Sequence, residues 1–164
     1  MSAEKAPNIY GFNAADIDGN DVNMEKYKGK VVLIVNVASE WGLTKSNYAQ
    51  LNQLHEKYSP ELAIVGFPSN QFGSQEPGTN EQIKEFARQN QGAKFDLFAK
   101  VDVNGNQTIP LYQYLKKKAT GTLTNAIKWN FTKFLVTKEG VAYKRYSPQT
   151  EPLKMVPDIE KLLN

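Results

Sequence analysis

Val31-Val32-Leu33-Ile34-Val35-Asn36-Val37-Ala38 is a nearly continuous apolar run, rich in β-branched residues, that follows the turn Tyr27-Lys28-Gly29-Lys30. Such a run is typical of a strand covered on both faces, and it predicts a central strand with a parallel neighbour. Leu62–Phe67 is a second buried strand of the same kind, and Leu43–Tyr58 between them has apolar residues at helical spacing. The three segments together predict a strand–helix–strand crossover.

The remaining segments extend this unit in both directions. Asp16–Asp21 is a turn signal between two short extended pieces, Ile9–Phe12 and one near Val22, and it predicts an N-terminal β-hairpin. The later predicted elements are a helix opened by the capping box Thr79–Gln82, an extended piece within Phe95–Val103, a helix from Pro110, a hairpin of Asn130–Val136 with Val141–Tyr146, and a helix over Asp158–Leu163. This order predicts the α/β class and a thioredoxin-like arrangement, with a central mixed sheet flanked by helices, in a single domain over residues 1–164.

Composition excludes several classes of protein. With 40% hydrophobic and 23% charged residues, the chain has the composition of a globular protein rather than a disordered one. No apolar run approaches the roughly 20 residues that a membrane span needs. The segment Met1–Asn8 lacks the apolar core of a secretory signal, so we expect a cytoplasmic protein, or one already trimmed of a targeting segment. The chain contains no cysteine, which excludes disulfides, thiolate nucleophiles and zinc–thiolate sites.

Charge and the single histidine give weak functional signals. Residues 83–164 carry 14 basic and 7 acidic side chains, with Lys116–Lys118 in a row. Such a face could attract phosphate headgroups, nucleic acid or an anionic substrate, but a solvated helix C-terminus is the simpler interpretation. His55 stands alone, so neither a catalytic triad nor a histidine-rich metal site can be built. We expect no metal and no organic cofactor.

Two polar loops follow the two central strands. The first strand ends at Ala38–Gly42, directly before a predicted helix N-terminus, and the second ends at Pro68–Gly78. Ligands of parallel α/β sheets gather beyond the carboxyl ends of the strands, and these two loops must be neighbours. A helix N-terminus stabilises an anion or lowers the pKa of a thiol. The position suits an anionic nucleophile, yet no such residue is present there.

Three longer blocks carry a resemblance to a known family. They are Asn36-Val37-Ala38-Ser39-x-x-Gly42-Leu43-Thr44, Phe67-Pro68-x-Asn70-Gln71-Phe72-Gly73-x-Gln75-Glu76-Pro77-Gly78 and Ile127–Leu135. These blocks resemble the signature blocks of glutathione peroxidases, and the resemblance extends from about Ile9 to Leu163. The short connection between the Pro110 helix and Ala126 is similar to that of the monomeric phospholipid-hydroperoxide type, so we expect a monomer.

The resemblance implies a set of site residues. In that family a selenocysteine or cysteine attacks the peroxide, supported by a Gln, a Trp and an Asn, which match Gln75, Trp129 and Asn130. All three side chains can donate hydrogen bonds to a reactive anion or a departing oxygen. The nucleophile position falls on Trp41, whose indole has no ionisable lone pair and cannot cycle through a sulfenic-type intermediate. This chain is therefore expected to be inactive in thiol-based turnover.

Two further departures point the same way. Ser69 occupies the position of the family's usual cysteine in the second block, and Arg88 that of the resolving cysteine of many thiol-dependent members. One explanation is a selenoenzyme whose selenocysteine was replaced or decoded as tryptophan, since a selenocysteine stop codon differs from the tryptophan codon by one base. The other is a non-catalytic binding or regulatory module with Trp41 as an aromatic anchor. The first is preferred because the supporting residues remain together.

The resemblance also implies substrates and partners. Members reduce hydrogen peroxide and organic or lipid hydroperoxides with glutathione or a thioredoxin-type donor, in response to oxidative stress. Lys128, and less directly Lys133 and Lys116–Lys118, would attract the carboxylates of glutathione or the headgroups of a transiently contacted phospholipid surface. Nucleic acid is not an expected partner, because no recognition motif accompanies the basic half.

Overall fold

A computed structural model describes residues 2–164, and a five-stranded mixed sheet lies at its centre. The strands are β1 (Asn13–Ala15), β2 (Asp21–Asn23), β3 (Val31–Val37), β4 (Leu62–Pro68), β5 (Asp96–Leu97), β6 (Lys133–Val136) and β7 (Ala142–Tyr146). The order across the sheet is β5-β4-β3-β6-β7, while β1 and β2 form a separate antiparallel pair. Strand β3 pairs in parallel with β4, with Val31 opposite Leu62, and antiparallel with β6. The predicted central strand and its parallel neighbour are confirmed.

Four α-helices, all within residues 2–164, surround the sheet. They are α1 (Thr44–Tyr58), α2 (Asn80–Glu85), α3 (Pro110–Lys118) and α4 (Val156–Leu163). The predicted capping box opens α2, because the Thr79 side chain accepts from the Gln82 main chain and the Gln82 side chain accepts from Thr79. A single π-helical turn, Phe86–Asn90, continues α2. None of the helices within residues 2–164 is long and apolar enough to cross a bilayer.

Both faces of β3 are buried, as its apolar run predicted. Leu33 and Val35 belong to a core cluster that also holds residues of α1 and α4. Val32 and Ile34 belong to a second cluster that includes the apolar face of α3. Successive side chains of a strand point to opposite faces, so helices on both sides leave no position for a solvated residue. The thioredoxin-like arrangement of helices on a mixed sheet is confirmed.

The N-terminal hairpin is present, but its predicted first strand is wrong. Ile9–Gly11 forms a 3₁₀ turn instead, which begins where the Asn8 side chain accepts a hydrogen bond from the Tyr10 main chain at 2.9 Å. The strand that pairs with β2 is β1, which follows this turn. The extended piece expected within Phe95–Val103 shrinks to the two residues of β5.

One polar side chain interrupts the buried strand β3. Asn36 is fully buried, donates from Nδ2 to the Trp129 carbonyl at 3.2 Å and accepts from the Thr132 N–H at 3.1 Å. Its own carbonyl accepts from the Phe131 N–H at 2.7 Å. Phe131 has a φ of 61°, in the left-handed region that non-glycine residues rarely adopt. Asn36 therefore fixes the path of the segment that precedes β6.

Lys133 does not lie at the surface, and the expectation that it attracts substrate from solution is corrected. Its side chain is fully buried, and its ammonium donates to the carbonyls of Pro148 and Thr150 at 3.1 and 2.6 Å. Burial lowers the pKa of Lys133 to about 7. The residue joins β6 to the turn after β7.

The Asn36 network leads to a first prediction. Asn36→Leu keeps the approximate shape but leaves the buried Thr132 N–H without its acceptor. We expect a loss of about 1–3 kcal/mol in the free energy of unfolding, the usual cost of a buried unpaired polar group. Urea denaturation measures it, and Asn106→Leu, at an exposed position, serves as the matched control. Equal stabilities for the two variants would contradict the proposed importance of this network.

Buried Lys133 leads to a second prediction. Its pKa is lowered in the folded protein, so between about pH 7 and the ordinary value of 10.5 the unfolded chain binds more protons. Over this window the stability of the parent protein should rise relative to Lys133→Met, by a few kcal/mol in total, since one pKa unit is about 1.4 kcal/mol. Thermal unfolding at several pH values measures the difference. Lys117→Met, at an exposed lysine, should parallel the parent throughout.

Candidate active site

The loops after β3 and β4 are joined at the carboxyl ends of their strands. The Glu40 N–H donates to the Gln75 carbonyl at 3.0 Å, and the Ser39 N–H donates to Oε1 of Glu76 at 3.0 Å. Parallel pairing brings the two loops side by side, and these two bonds then fix their spacing. The predicted neighbourhood of the loops is confirmed.

Gln75 and Asn130 form a direct pair of amide side chains. Asn130 is fully buried, and its Nδ2 donates to Oε1 of Gln75 at 2.7 Å. No acceptor within residues 2–164 bonds the Gln75 amide nitrogen, so its two N–H groups remain available as donors. The segment before β6 is thereby tied to the loop after β4.

Trp129 lies beside this pair and is 36% exposed. Its ring packs on Phe72, with 5.7 Å between the ring centroids. Gly73, at a φ of +67°, makes the approach possible, since a Cβ there would lie 3.2 Å from the Trp129 ring and 3.3 Å from the Gln75 side chain. Ser74 also has a positive φ, of 52°. Unusual backbone conformations of this kind cluster at functional sites.

Trp41 occupies the turn that leads into α1. Its indole is half-buried and stacks on Phe131, at 6.0 Å between centroids and 16° between planes. The main-chain N–H of Trp41 donates to Oγ1 of Thr44 at 3.0 Å, and that hydroxyl donates to the Ala38 carbonyl at 2.9 Å. The side chain thus packs against the core cluster rather than projecting into solvent as an aromatic anchor would.

The four predicted site residues therefore gather at one end of the sheet, through different kinds of contact. Gln75 and Asn130 bond directly, and Trp129 packs beside Gly73. Trp41 is connected through the main chain of its neighbour Glu40 to Gln75. The arrangement brings the amides of Gln75 and Asn130 and the indole of Trp129 to the end of the sheet where the loop of position 41 also lies.

The predicted cationic residues separate into three groups. Lys128 is exposed and lines a cleft of about 120 Å³ with Thr132, Arg145 and Ser147 among its walls. Lys133 is buried elsewhere, as described above. Lys116 is held by the Val103 carbonyl at 2.7 Å, which leaves Lys117 and Lys118 as the exposed part of that run. Of these lysines, only Lys128 is adjacent in sequence to a predicted site residue, Trp129.

Ser69 and Arg88, the two positions at which the resemblance led us to expect a cysteine, have structural partners of their own. Ser69 is fully buried at the start of the second loop, and its hydroxyl donates to Oε1 of Gln71 at 3.4 Å. The Arg88 guanidinium donates to the carbonyls of Ala93 and Phe95, at 3.0 and 2.7 Å. Arg88 closes the turn between the π-helical segment and β5.

Sequence reasoning missed Asn36 and Glu76. Glu76 is fully buried, accepts from Ser39, and burial raises the pKa of its carboxyl to about 7. The Lys100 ammonium donates to the Glu76 carbonyl at 2.9 Å rather than to the carboxyl. A polar residue inside an apolar strand was a usable signal for Asn36, because buried polar groups need partners. Glu76 lies in a polar loop, where nothing in the sequence distinguishes it from a solvated acid.

Comparison with known proteins agrees with this geometry. The family model for glutathione peroxidase matches residues 9–116. The chain is 52% identical over 164 residues to the "Probable phospholipid hydroperoxide glutathione peroxidase" of Citrus sinensis, covering 99% of this chain and 98% of that protein.

Solved structures agree with the same assignment. The crystal structure of T. cruzi GPX1 superposes with a TM-score of 0.78 at 34% identity, covering 95% of this chain and 96% of that one. A thioredoxin family thiol:disulfide interchange protein of Chlorobium tepidum TLS, 14% identical, superposes with a TM-score of 0.68 over 93% of both chains and shares the fold alone. This chain belongs to the glutathione peroxidase family, a family of peroxidases.

Proposed function

We propose that this chain is a thiol-dependent hydroperoxide reductase scaffold whose nucleophile position is filled by Trp41, and that the chain as written does not turn over. The observation that carries the proposal is the bond between Asn130 and Gln75, at 2.7 Å. It orients the Gln75 amide so that its N–H groups are free to donate. Such oriented donors serve an anion, and the indole at position 41 provides none.

The chemistry would proceed once a thiolate or selenolate stood at position 41. Its chalcogen attacks one peroxide oxygen, the O–O bond breaks, and the departing oxygen takes a proton and leaves as alcohol or water. The chalcogen, oxidised by two electrons, then holds a hydroxyl group. A first thiol displaces this hydroxyl as water and forms a mixed disulfide or selenenyl sulfide. A second thiol releases the disulfide and restores the nucleophile.

The supporting residues act on the charge of these steps. The Gln75 amide and the Trp129 indole N–H stabilise the nucleophilic anion and the departing oxygen. Asn130 holds Gln75 through their direct bond. Because the position also lies at the N-terminal end of α1, the helix dipole adds to the stabilisation of an anion there.

The binding-module alternative receives less support from the geometry. An interface anchor is an aromatic side chain that a partner can cover, whereas the Trp41 indole is half-buried and stacked on Phe131. The paired amides also have no evident role in such a module. The family assignment and the retained supporting residues favour a peroxidase site that has lost its nucleophile.

We propose hydrogen peroxide and organic hydroperoxides, including those of lipids, as the oxidants, and glutathione or a thioredoxin-type protein as the reductant. The Citrus sinensis relative is named "Probable phospholipid hydroperoxide glutathione peroxidase", which supports a lipid hydroperoxide as oxidant and glutathione as reductant. The exposed Lys128 ammonium, next to Trp129, is placed to attract the carboxylates of glutathione or the phosphates of a transiently contacted phospholipid surface. We propose further that the protein acts as a monomer in the cytoplasm.

Restoring a thiol is the direct test of this proposal. Trp41→Cys should turn over peroxide in an NADPH-coupled assay, with glutathione and thioredoxin compared in parallel, while the parent chain should not. Trp41→Ser is the matched control, because it has a similar small side chain but no thiol nucleophile. Circular dichroism confirms that all three proteins are folded. Turnover by neither the parent nor Trp41→Cys, with both folded, would instead support the binding module.

A second variant tests the role of the amide pair. In the Trp41→Cys background, Gln75→Ala should lower kcat/KM by about 10²-fold, as expected for the loss of one oriented donor to a developing anion. Gln107→Ala, at an exposed position, is the control and should leave kcat/KM within about twofold, as surface substitutions usually do. A fall of similar size in both variants would show that Gln75 has no specific role.

A further inference from the structure

Glu76 is a buried carboxyl group that has no counter-ion. Its side chain is fully buried, with Oε1 accepting from the Ser39 N–H at 3.0 Å and Oε2 without a partner within residues 2–164. The nearest ammonium, that of Lys100, donates to the Glu76 main-chain carbonyl at 2.9 Å. Among the ion pairs formed by residues 2–164, none includes Glu76. Buried carboxyl groups without such a pair are rare, because burial penalises the charged form.

The Glu76 carboxyl is hydrogen-bonded to the loop that carries position 41. Its main-chain N–H donates to Oδ1 of Asn70 at 3.0 Å, so its own backbone is fixed. The loop that carries position 41 is joined to it by two bonds, from Glu40 to the Gln75 carbonyl and from Ser39 to the Glu76 carboxyl. Only the second bond involves a titratable acceptor. Its strength therefore depends on whether Glu76 holds a proton.

The groups around Glu76 come from several elements. Burial has the largest effect on the pKa of the carboxyl and raises it, whereas the hydrogen bonds from the Ser39 side chain and main chain lower it. Lys100 also lowers this pKa, and Glu40, in the facing loop, raises it. From α1, the buried Tyr48 hydroxyl has no partner within residues 2–164, and the Glu76 charge raises the pKa of that hydroxyl. Arg88, from the π-helical turn, acts on the same hydroxyl in the opposite direction. The Glu76 side chain is fully buried, and the residue also lines a cleft together with Ser39 and Glu40.

We propose that Glu76 is a positioning residue of the peroxidase site: its carboxylate holds the loop that carries position 41 against Gln75, and protonation of Glu76 loosens that loop. The inference rests on the proposed function of this site. A carboxylate is a stronger acceptor for the Ser39 N–H than a neutral carboxyl. A protonated Glu76 becomes a donor, and the hydroxyls of Ser39 and Tyr48 are buried groups able to accept from it.

The direction of the pH effect follows from the shifted group. The ordinary value for Glu76 is 4.5 and the folded protein raises its pKa to about 7. Protonation therefore stabilises the folded protein fully below pH 4.5, and this contribution is lost as the pH rises to about 7. Over the same window the ionised fraction rises and the loop bond to Ser39 strengthens. The site is better ordered above pH 7, where the contribution of Glu76 protonation to stability is gone.

The first experiment needs no enzymatic activity. The ¹⁵N–¹H signal of Ser39 is followed between pH 5 and 9 together with tryptophan fluorescence, since both tryptophans of the chain lie at the site. In the parent both signals should titrate with a midpoint near 7, and in Glu76→Gln this transition should be absent. His55→Asn, which removes the single histidine, is the matched control and should keep the transition. A Ser39 transition that persists in Glu76→Gln, or a parent Ser39 signal without one near 7, would overturn the proposal.

The second experiment separates this inference from the proposed function. In the Trp41→Cys background, kcat/KM should fall about tenfold from pH 8 to pH 6 for one essential ionised group with a pKa near 7. The additional Glu76→Gln substitution should remove that fall while any limb that belongs to the new thiol remains. If Trp41→Cys shows no turnover while Ser39 titrates as expected, the proposed function fails and the linkage between Glu76 and the loop stands. Should Glu76→Gln not fold, the Ser39 titration in the parent decides alone.

Discussion

A strand buried on both faces offers no water to the polar groups near it, and this constraint determines how the functional end of the molecule is built. The main-chain groups of β3 are hydrogen-bonded to β4 and β6. The end of β3 must also supply hydrogen-bond partners to the irregular segment that precedes β6. Asn36 does so with both ends of its amide and its carbonyl. The unusual backbone of Phe131 is held in place by these bonds, and the neighbouring Asn130 is presented to Gln75 as a result. The geometry of the site is thus an extension of the sheet's hydrogen bonding.

This dependence explains how the scaffold around the two loops keeps its shape independently of the side chain at position 41. The amide pair is held by the hydrogen bond that Asn130 donates to Gln75, and the two loops are held by Ser39, Glu40 and the side chain of Glu76. None of these contacts uses the side chain at position 41. The indole there stacks on Phe131. Support and reactivity are therefore separable in this fold, the first belonging to the scaffold and the second to one residue.

The sequence predicted those parts of the fold in which local pattern and burial agree. The apolar run of β3 and the capping box of Thr79 and Gln82 each have one favourable structure, and both are confirmed. Ile9 was misassigned because a side-chain cap from Asn8 outweighed the strand propensity of an apolar residue, which no periodicity reveals. The length of β5 was overestimated for a related reason. A strand at the edge of the sheet extends only as far as its pairing with β4, and the residues of β5 alone do not show where that pairing ends.

The site was predicted less evenly than the fold. Family blocks located Gln75, Trp129 and Asn130, and the structure brings them to one end of the sheet. Lys133 was misjudged because a lysine in an apolar strand can be satisfied by distant carbonyls, here of Pro148 and Thr150, which only the tertiary fold supplies. Glu76 was missed for the converse reason, since burial of a loop acid depends on how two loops close on each other.

The two hydrogen bonds that Arg88 donates to main-chain carbonyls have a consequence for substitutions at this position. A cysteine at this position would be free to leave its turn, whereas the guanidinium anchors the turn to Ala93 and Phe95. Replacing Arg88 by cysteine would therefore remove the two hydrogen bonds that close this turn, whether or not the new thiol had a redox partner. The side chain at position 41, by contrast, takes part in none of the hydrogen bonds that join the loops and can be exchanged alone. Any variant of this chain that is given a thiol at position 41 alone therefore carries a single thiol and depends on an external reductant, because the chain contains no cysteine.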